Sequence, residues 1–216
     1  MVAETFTHVR SWVFDLDNTL YPPEVRLFEQ IDQRMTDYVM RTLKLGQPEA
    51  DRLRKRYWRD YGTTLAGLMM HHGVDPAPFL VEVHAIDFSV LPSDPILRAG
   101  IARLPGRRIV YTNGSAPYAQ RVIAARGLDG LFDAVYGVEN AGFHPKPRPE
   151  AFDTVFAADG LDPRGAAMFE DDPRNLRVPH DLGMRTVHVA PMALPADEAG
   201  HIHHHTDDLG AFLSRL

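Results

Sequence analysis

Residues 15–20 read Asp15-Leu16-Asp17-Asn18-Thr19-Leu20 and follow an apolar run over residues 9–14 that closes on Trp12-Val13-Phe14. A short apolar run rich in β-branched and aromatic residues reads as a buried parallel strand. Two carboxylates then arrive where that strand should end. In open α/β sheets, ligands bind beyond the carboxyl ends of the strands. Residues i and i+2 of a strand share a face, so Asp15 and Asp17 are expected to face one ligand. Two carboxylates this close repel unless a cation or a shared proton lies between them. The pair points to a hard metal ion, Mg²⁺.

Downstream of the motif the periodicity changes. Over residues 24–45 the apolar positions Leu27, Phe28, Ile31, Met35, Tyr38, Val39 and Leu43 have helical spacing. Further helical stretches open at Gln47-Pro48, Thr63-Thr64 and Asp75-Pro76. A breaker-rich segment over residues 91–95 comes next. Strand signals then alternate with helix signals: strands over 108–112, 132–136, 166–169 and 185–189, and helices over 117–126, 149–159, 175–182 and 207–216, the last with Thr206 as N-cap. The expected fold class is α/β: a Rossmann-like parallel sheet with helices on both faces, carrying an inserted all-helical cap. Residues 1–20 and 92–216 are assigned to the core and residues 21–91 to the cap.

Three more chemical signals fall at ends of the later strands. Thr112-Asn113-Gly114-Ser115 supplies a hydroxyl, backbone N–H groups and a helix start, an anion site in outline. Lys146 lies in a proline-stiffened loop, His144-Pro145-Lys146-Pro147-Arg148-Pro149. Glu170-Asp171-Asp172 comes directly after the 166–169 run. Each alone has a plain reading as turn, cap or solvated loop charge. Their order and common placement at strand ends favour one site.

Composition narrows the classes. The 216 residues are 44% apolar with a formal charge of −6 and no cysteine. The acidic balance argues against a nucleic-acid polymer as partner. No apolar stretch suits a membrane span, no signal peptide is evident at Met1-Val2-Ala3, and thiol chemistry is excluded, so a cytoplasmic protein is expected. The basic run Arg52, Arg54, Lys55, Arg56 and Arg59 reads as a solvated helix face, and His201, His203, His204 and His205 as an exposed turn.

The four strand-end signals together resemble the haloacid dehalogenase superfamily of phosphotransferases. Asp15, Asp17 and Thr19 match its Asp-x-Asp-x-Thr motif, Thr112 its strand-end hydroxyl, Lys146 its lysine, and Glu170 with Asp171 its acidic pair. The stretches Phe14 to Tyr21, Val110 to Gly114 and Phe169 to Asp172 look most like the pyrimidine 5′-nucleotidase branch. The resemblance implies a phosphatase acting on a small-molecule phosphomonoester, with sugar phosphomutase and idle phospholigand-binding module as alternatives. It implies Asp15 as nucleophile, Asp17 as general acid/base, and Mg²⁺ on the Asp15 carboxylate, the Asp17 carbonyl and Asp171, with Glu170 assisting. It implies Thr112, the Asn113 N–H and Lys146 on the phosphoryl oxygens. Dehalogenases of the superfamily lack an Asp at the position of Asp17. From the cap, Tyr21, Tyr61, Thr63 and Thr64 are candidates for substrate specificity, since they combine aromatic faces with hydroxyls.

Overall fold

A computed structural model describes residues 2–216. Six strands form one parallel sheet: β1 (Ser11–Phe14), β2 (Arg107–Tyr111), β3 (Ala134–Tyr136), β4 (Ala166–Glu170), β5 (Arg185–Val189) and β6 (His204–Thr206), in the order β3-β2-β1-β4-β5-β6. The order reverses between β1 and β4, the switch point where such sheets leave a crevice. β1 is central, with Phe14 level with Val110 of β2 and with Phe169 of β4. The next residues, Asp15, Tyr111 and Glu170, therefore leave the sheet side by side.

Side-chain alternation divides the core. On one face Trp12, Phe14 and Phe169 are buried, with the Phe14 and Phe169 rings stacked at 4.8 Å. On the other, Val13, Ile109 and Met168 pack with Phe152, Val155 and Phe156. Each such side chain contributes roughly 1.5–3 kcal/mol by leaving water, so the strand ends that carry the chemistry rest on a well-packed floor.

Helices α1 (Leu27–Leu43), α2 (Gln47–Tyr61), α3 (Thr64–His72) and α4 (Pro76–Val83) come after β1. They pack on one another, α1 against α2 and α4, and α2 against α3. No strand interrupts them among the described residues. Then come α5 (Pro95–Arg103), α6 (Ala116–Ala125), α7 (Pro149–Asp159), α8 (Arg177–Asp181) and α9 (Leu209–Leu213). Among the described residues, no helix is long and apolar enough to cross a membrane.

Several expectations change. The breaker-rich segment is the start of α5: Asp94 accepts from the Leu97 N–H at 2.9 Å and Pro95 opens the helix. The 207–216 helix is shorter, and its N-cap is Asp208, not Thr206, whose hydroxyl donates to the Asp208 carbonyl. The histidines do not form an exposed turn. His204 and His205 belong to edge strand β6, His201 is buried with Nε2 donating to the Pro173 carbonyl, and His203 accepts from the Thr186 N–H. Their polarity conceals an edge strand in which only Thr206 is buried.

Candidate active site

The motif after β1 folds as a turn, not as continued strand. The Asp15 N–H still reaches the Phe169 carbonyl (2.9 Å), but the Leu20 N–H closes back on the Leu16 carbonyl at 2.9 Å. Asn18 takes a left-handed φ of 58°, which asparagine tolerates better than most residues. Asp15 and Asp17 thus share a cavity through a turn, and the pleat argument does not apply to them.

Lys146 ties the strand ends together. Its ammonium, 1% exposed, donates to Asp15 Oδ1 (2.6 Å), Glu170 Oε2 (2.6 Å) and the Tyr111 carbonyl (3.1 Å). All three donors are used, on the three residues that the sheet register sets abreast. Asn113 holds the lysine's backbone: its Oδ1 accepts from the Lys146 N–H at 2.8 Å and its Nδ2 donates to the Lys146 carbonyl at 3.1 Å. Nothing in the sequence marks that clamp, since there Asn113 offers only its N–H. Burial alone would lower the Lys146 pKa, but the Asp15 and Glu170 charges outweigh it and keep the ammonium protonated.

Negative charge exceeds positive here. Burial and the neighbouring Glu170 charge raise the Asp15 pKa well above the carboxylate range. Burial pushes Glu170 up to about 8 against the pull of Lys146, and burial with the Asp15 charge pushes Asp171 up to about 7. Carboxylate oxygens of Asp15, Glu170 and Asp171 lie within 4.8 Å of one another. The Asn18 amide donates to Asp171 Oδ2 at 3.2 Å, and His188 of β5 donates to the Asp171 carbonyl at 2.9 Å.

Asp17 has different company. Tyr21 and Tyr118 both donate to its Oδ1, at 2.6 and 2.5 Å. Burial raises the Asp17 pKa, and the two phenol hydrogen bonds partly offset this. Tyr118 comes from α6, 101 positions from Asp17 in the chain, and sequence reasoning misses it. Tyr21 lies one helical turn past Asp17 and is expected among the specificity residues. Its ring is buried at 1% exposure, so it meets the acid and not a ligand in the cavity.

Thr112 Oγ1 accepts from the Gly114 N–H at 2.9 Å, leaving its own proton to donate. A Cβ at Gly114 would stand 2.9 Å from the Tyr118 ring, so only glycine lets that ring and the Thr112 turn coexist.

These groups open into one cavity of about 580 Å³. Asp15, Asp17, Thr112, Asn113, Lys146, Glu170 and Asp171 line its floor. Phe28, Ile31, Met35, Phe79, Leu80 and Val83, from α1 and α4, form an apolar wall. Thr63 and Thr64 also line it; Thr63 Oγ1 caps α3 by accepting from the Ala66 N–H at 3.1 Å, and Thr64 is buried. Tyr61 stands outside the lining, its hydroxyl bonded to His71 Nε2 (2.7 Å) and its ring against Tyr57. Trp58 of α2 sits at the rim, 51% exposed, with the Arg174 guanidinium 3.7 Å from its ring centre. Gly62, at φ 88°, lies against the lysine loop, where a Cβ would come 2.9 Å from the Lys146 carbonyl oxygen.

Known proteins share this plan. The chain is 28% identical to Phosphate metabolism protein 8 of Saccharomyces cerevisiae over 79% of its own length, and spans 58% of the length of that relative. It is 28% identical to Validoxylamine A 7′-phosphate phosphatase of Streptomyces hygroscopicus subsp. limoneus, covering 86% of this chain and 90% of the relative. The fold resembles that of the magnesium-bound HAD-hydrolase YfnB from Bacillus subtilis, with a TM-score of 0.61 at 14% identity over 96% of this chain and 98% of the other. Residues 9–183 match the haloacid dehalogenase-like hydrolases, and together with the strand-end site this match establishes that the chain belongs to that family.

Proposed function

We propose that the protein is a Mg²⁺-dependent phosphatase of small phosphomonoesters that works through an aspartyl-phosphate on Asp15. The observation that carries this reading is the unequal treatment of the two motif carboxylates. Lys146 takes Asp15 Oδ1 and leaves the other oxygen to attack phosphorus. Asp17 is bonded to Tyr21 and Tyr118 and not to the cation, and burial raises its pKa, which suits a carboxyl that must carry a proton to a leaving group. A simple anion binder needs no such group. The relative from Streptomyces hygroscopicus is itself named a phosphatase.

The oxygen-only donor set of Asp15, Glu170 and Asp171 fits Mg²⁺. Asn175 adds support: it lines the same cavity, and its buried Oδ1 has no partner among the described residues. Asp15 and Asp171 would hold the ion, with Glu170 shared with Lys146, and the ion would neutralise charge on the phosphoryl oxygens. In the first step the Asp15 oxygen bonds to phosphorus, the ester P–O bond breaks, and the leaving oxygen takes the Asp17 proton. In the second, water gives a proton to Asp17 as its oxygen bonds to phosphorus, and the bond to Asp15 breaks to release phosphate. Thr112, the Asn113 N–H and Lys146 steady the phosphoryl group, since such transfer depends mainly on positioning and charge.

Residues 21–91 serve as the cap over a core of residues 1–20 and 92–216, and the leaving group lies against the cap's wall. The substrate class is a nucleoside 5′-monophosphate, with Phe28 and Trp58 as surfaces for the base and Thr63 and Thr64 near the sugar. The test is hydrolysis of p-nitrophenyl phosphate, nucleotides and sugar phosphates with and without Mg²⁺. Wild-type protein should need Mg²⁺ and prefer nucleotides, and Asp15→Asn should lose at least about ten-thousandfold in rate. A normal rate in Asp15→Asn overturns the mechanism; a preference for sugar phosphates overturns only the substrate class.

A further inference from the structure

We infer that Tyr21 and Tyr118 are positioning residues for Asp17: their hydroxyls lock one carboxylate oxygen so that the other is presented to the leaving oxygen of the ester. The inference rests on the phosphatase reading above and adds to it how the acid/base group is aimed.

The geometry is specific. Two phenols from separate elements, the turn after β1 and helix α6, donate to the same oxygen, Asp17 Oδ1, at 2.6 and 2.5 Å. Their own oxygens stand 3.5 Å apart, so Asp17 is the stronger partner of each. Oδ2 accepts no hydrogen bond from the described residues, and Asp17 lines the cavity. An sp² oxygen offers two in-plane lone pairs. With both on Oδ1 taken, the transferable proton belongs on Oδ2. Rotating the carboxyl would break two hydrogen bonds at once, and these are charge-assisted, about twice as strong as neutral ones, whenever Asp17 is ionised.

The phenols are themselves held. The Tyr118 ring stacks on His84 at 4.2 Å and 8°. His84 Nδ1 in turn meets Ser115 Oγ at 3.1 Å, and Ser115 Oγ accepts from the Tyr118 N–H at 3.3 Å. Tyr118 and Tyr21 are each 1% exposed. Rigid rings with two side-chain torsions place a hydroxyl at little entropic cost. In each turnover the proton on Oδ2 goes to the leaving oxygen and is replaced from water; the phenol protons stay where they are.

The test uses Tyr21→Phe, Tyr118→Phe and the double variant with phenyl phosphate and p-nitrophenyl phosphate in Mg²⁺. Phenolate leaves poorly without a proton, whereas p-nitrophenolate leaves readily. The ratio kcat/KM reports the steps through the first bond cleavage, so slow hydrolysis of the phosphoenzyme does not mask the effect. Each single variant should lose about tenfold in kcat/KM on phenyl phosphate and several-fold less on p-nitrophenyl phosphate, and the double variant about a hundredfold on the former. Equal losses on both esters, or none, would mean that the tyrosines only pack, and would overturn the inference. The single variants keep one donor on Asp17, so they decide the matter if the double variant does not fold. A wild-type protein inactive on both esters overturns the phosphatase reading itself, and this inference with it.

Discussion

At the floor of the cavity, four carboxylates and one ammonium converge from the ends of β1 and β4 and from the lysine loop, whereas its wall is Phe28, Ile31, Met35, Phe79, Leu80 and Val83 from two helices. On the floor each contact is directional and a few tenths of an ångström matter, because charges are being balanced in a buried site. Along the wall, burial is non-directional and shape decides. The two regions should therefore fail differently: floor changes should cost rate, wall changes should cost affinity.

Among variants that leave the Asp15 nucleophile in place, the largest effect should come from Lys146→Met. It removes the cation that sits among the buried acids, leaving Asp15 and Glu170 without their partner. Breaking a buried pair from one side costs about 3–5 kcal/mol in stability, and kcat should fall by about two to three orders of magnitude. Chemical denaturation and steady-state kinetics check both; an unchanged kcat would remove Lys146 from the chemistry. Gly62→Ala tests where wall and floor meet. A Cβ there is strained at φ 88° and would press on the Lys146 carbonyl, so stability should drop by about 1–3 kcal/mol and kcat/KM on the order of tenfold. A variant with normal kinetics would show that the lysine loop yields without moving the ammonium.

Thr64→Ala belongs to the wall, since Thr64 lines the cavity and has no part in the charge cluster. KM for the best substrate should rise several-fold, about 1 kcal/mol of binding, while turnover of p-nitrophenyl phosphate stays within about twofold. A matched fall in kcat on both substrates would erase the distinction between floor and wall.

The smallest expected effect is on melting temperature. Glu170 and Asp171 have folded pKa values raised to about 8 and about 7. A raised carboxyl pKa means the folded state holds its proton more tightly. The stabilisation from that proton is present in acid and is lost as pH rises through about 7 and then about 8. Mg²⁺ must displace the same protons. The increase in Tm on adding Mg²⁺ should therefore be larger at about pH 9 than at about pH 6, by a few degrees. Equal increments at both pH values would place the ion away from these two carboxylates.

Strand ends are easy to read because a parallel sheet is written as apolar runs, and the residues just beyond such a run lie at the ligand side. Asp15, Thr112, Glu170 and Asp171 are legible that way, Lys146 only as the cation of a proline-stiffened loop well past β3, and the sheet register brings Asp15 and Glu170 onto its ammonium. Helix α5 escapes the reading because Pro95 looks like a breaker when it is a helix opener. Strand β6 escapes it because an edge strand of histidines has no apolar alternation. Tyr118, His84 and the amide clamp of Asn113 leave no local signal: a tyrosine in an amphipathic helix reads as core wherever its hydroxyl ends up. Tyr21 does carry one, lying four residues beyond Asp17, where a helical turn brings two side chains together.

Residue order alone was enough for the α/β architecture, the family and the acids, because periodicity and strand-end chemistry are local properties of the chain. Which oxygen of Asp17 is tied, which side of Asn113 works on Lys146, and which residues of helices α1 to α4 face the cavity became definite only in the folded molecule. Those answers depend on hydrogen bonds and ring stacks between segments far apart in sequence, and a partner of that kind leaves no period, cap or spacing along the chain.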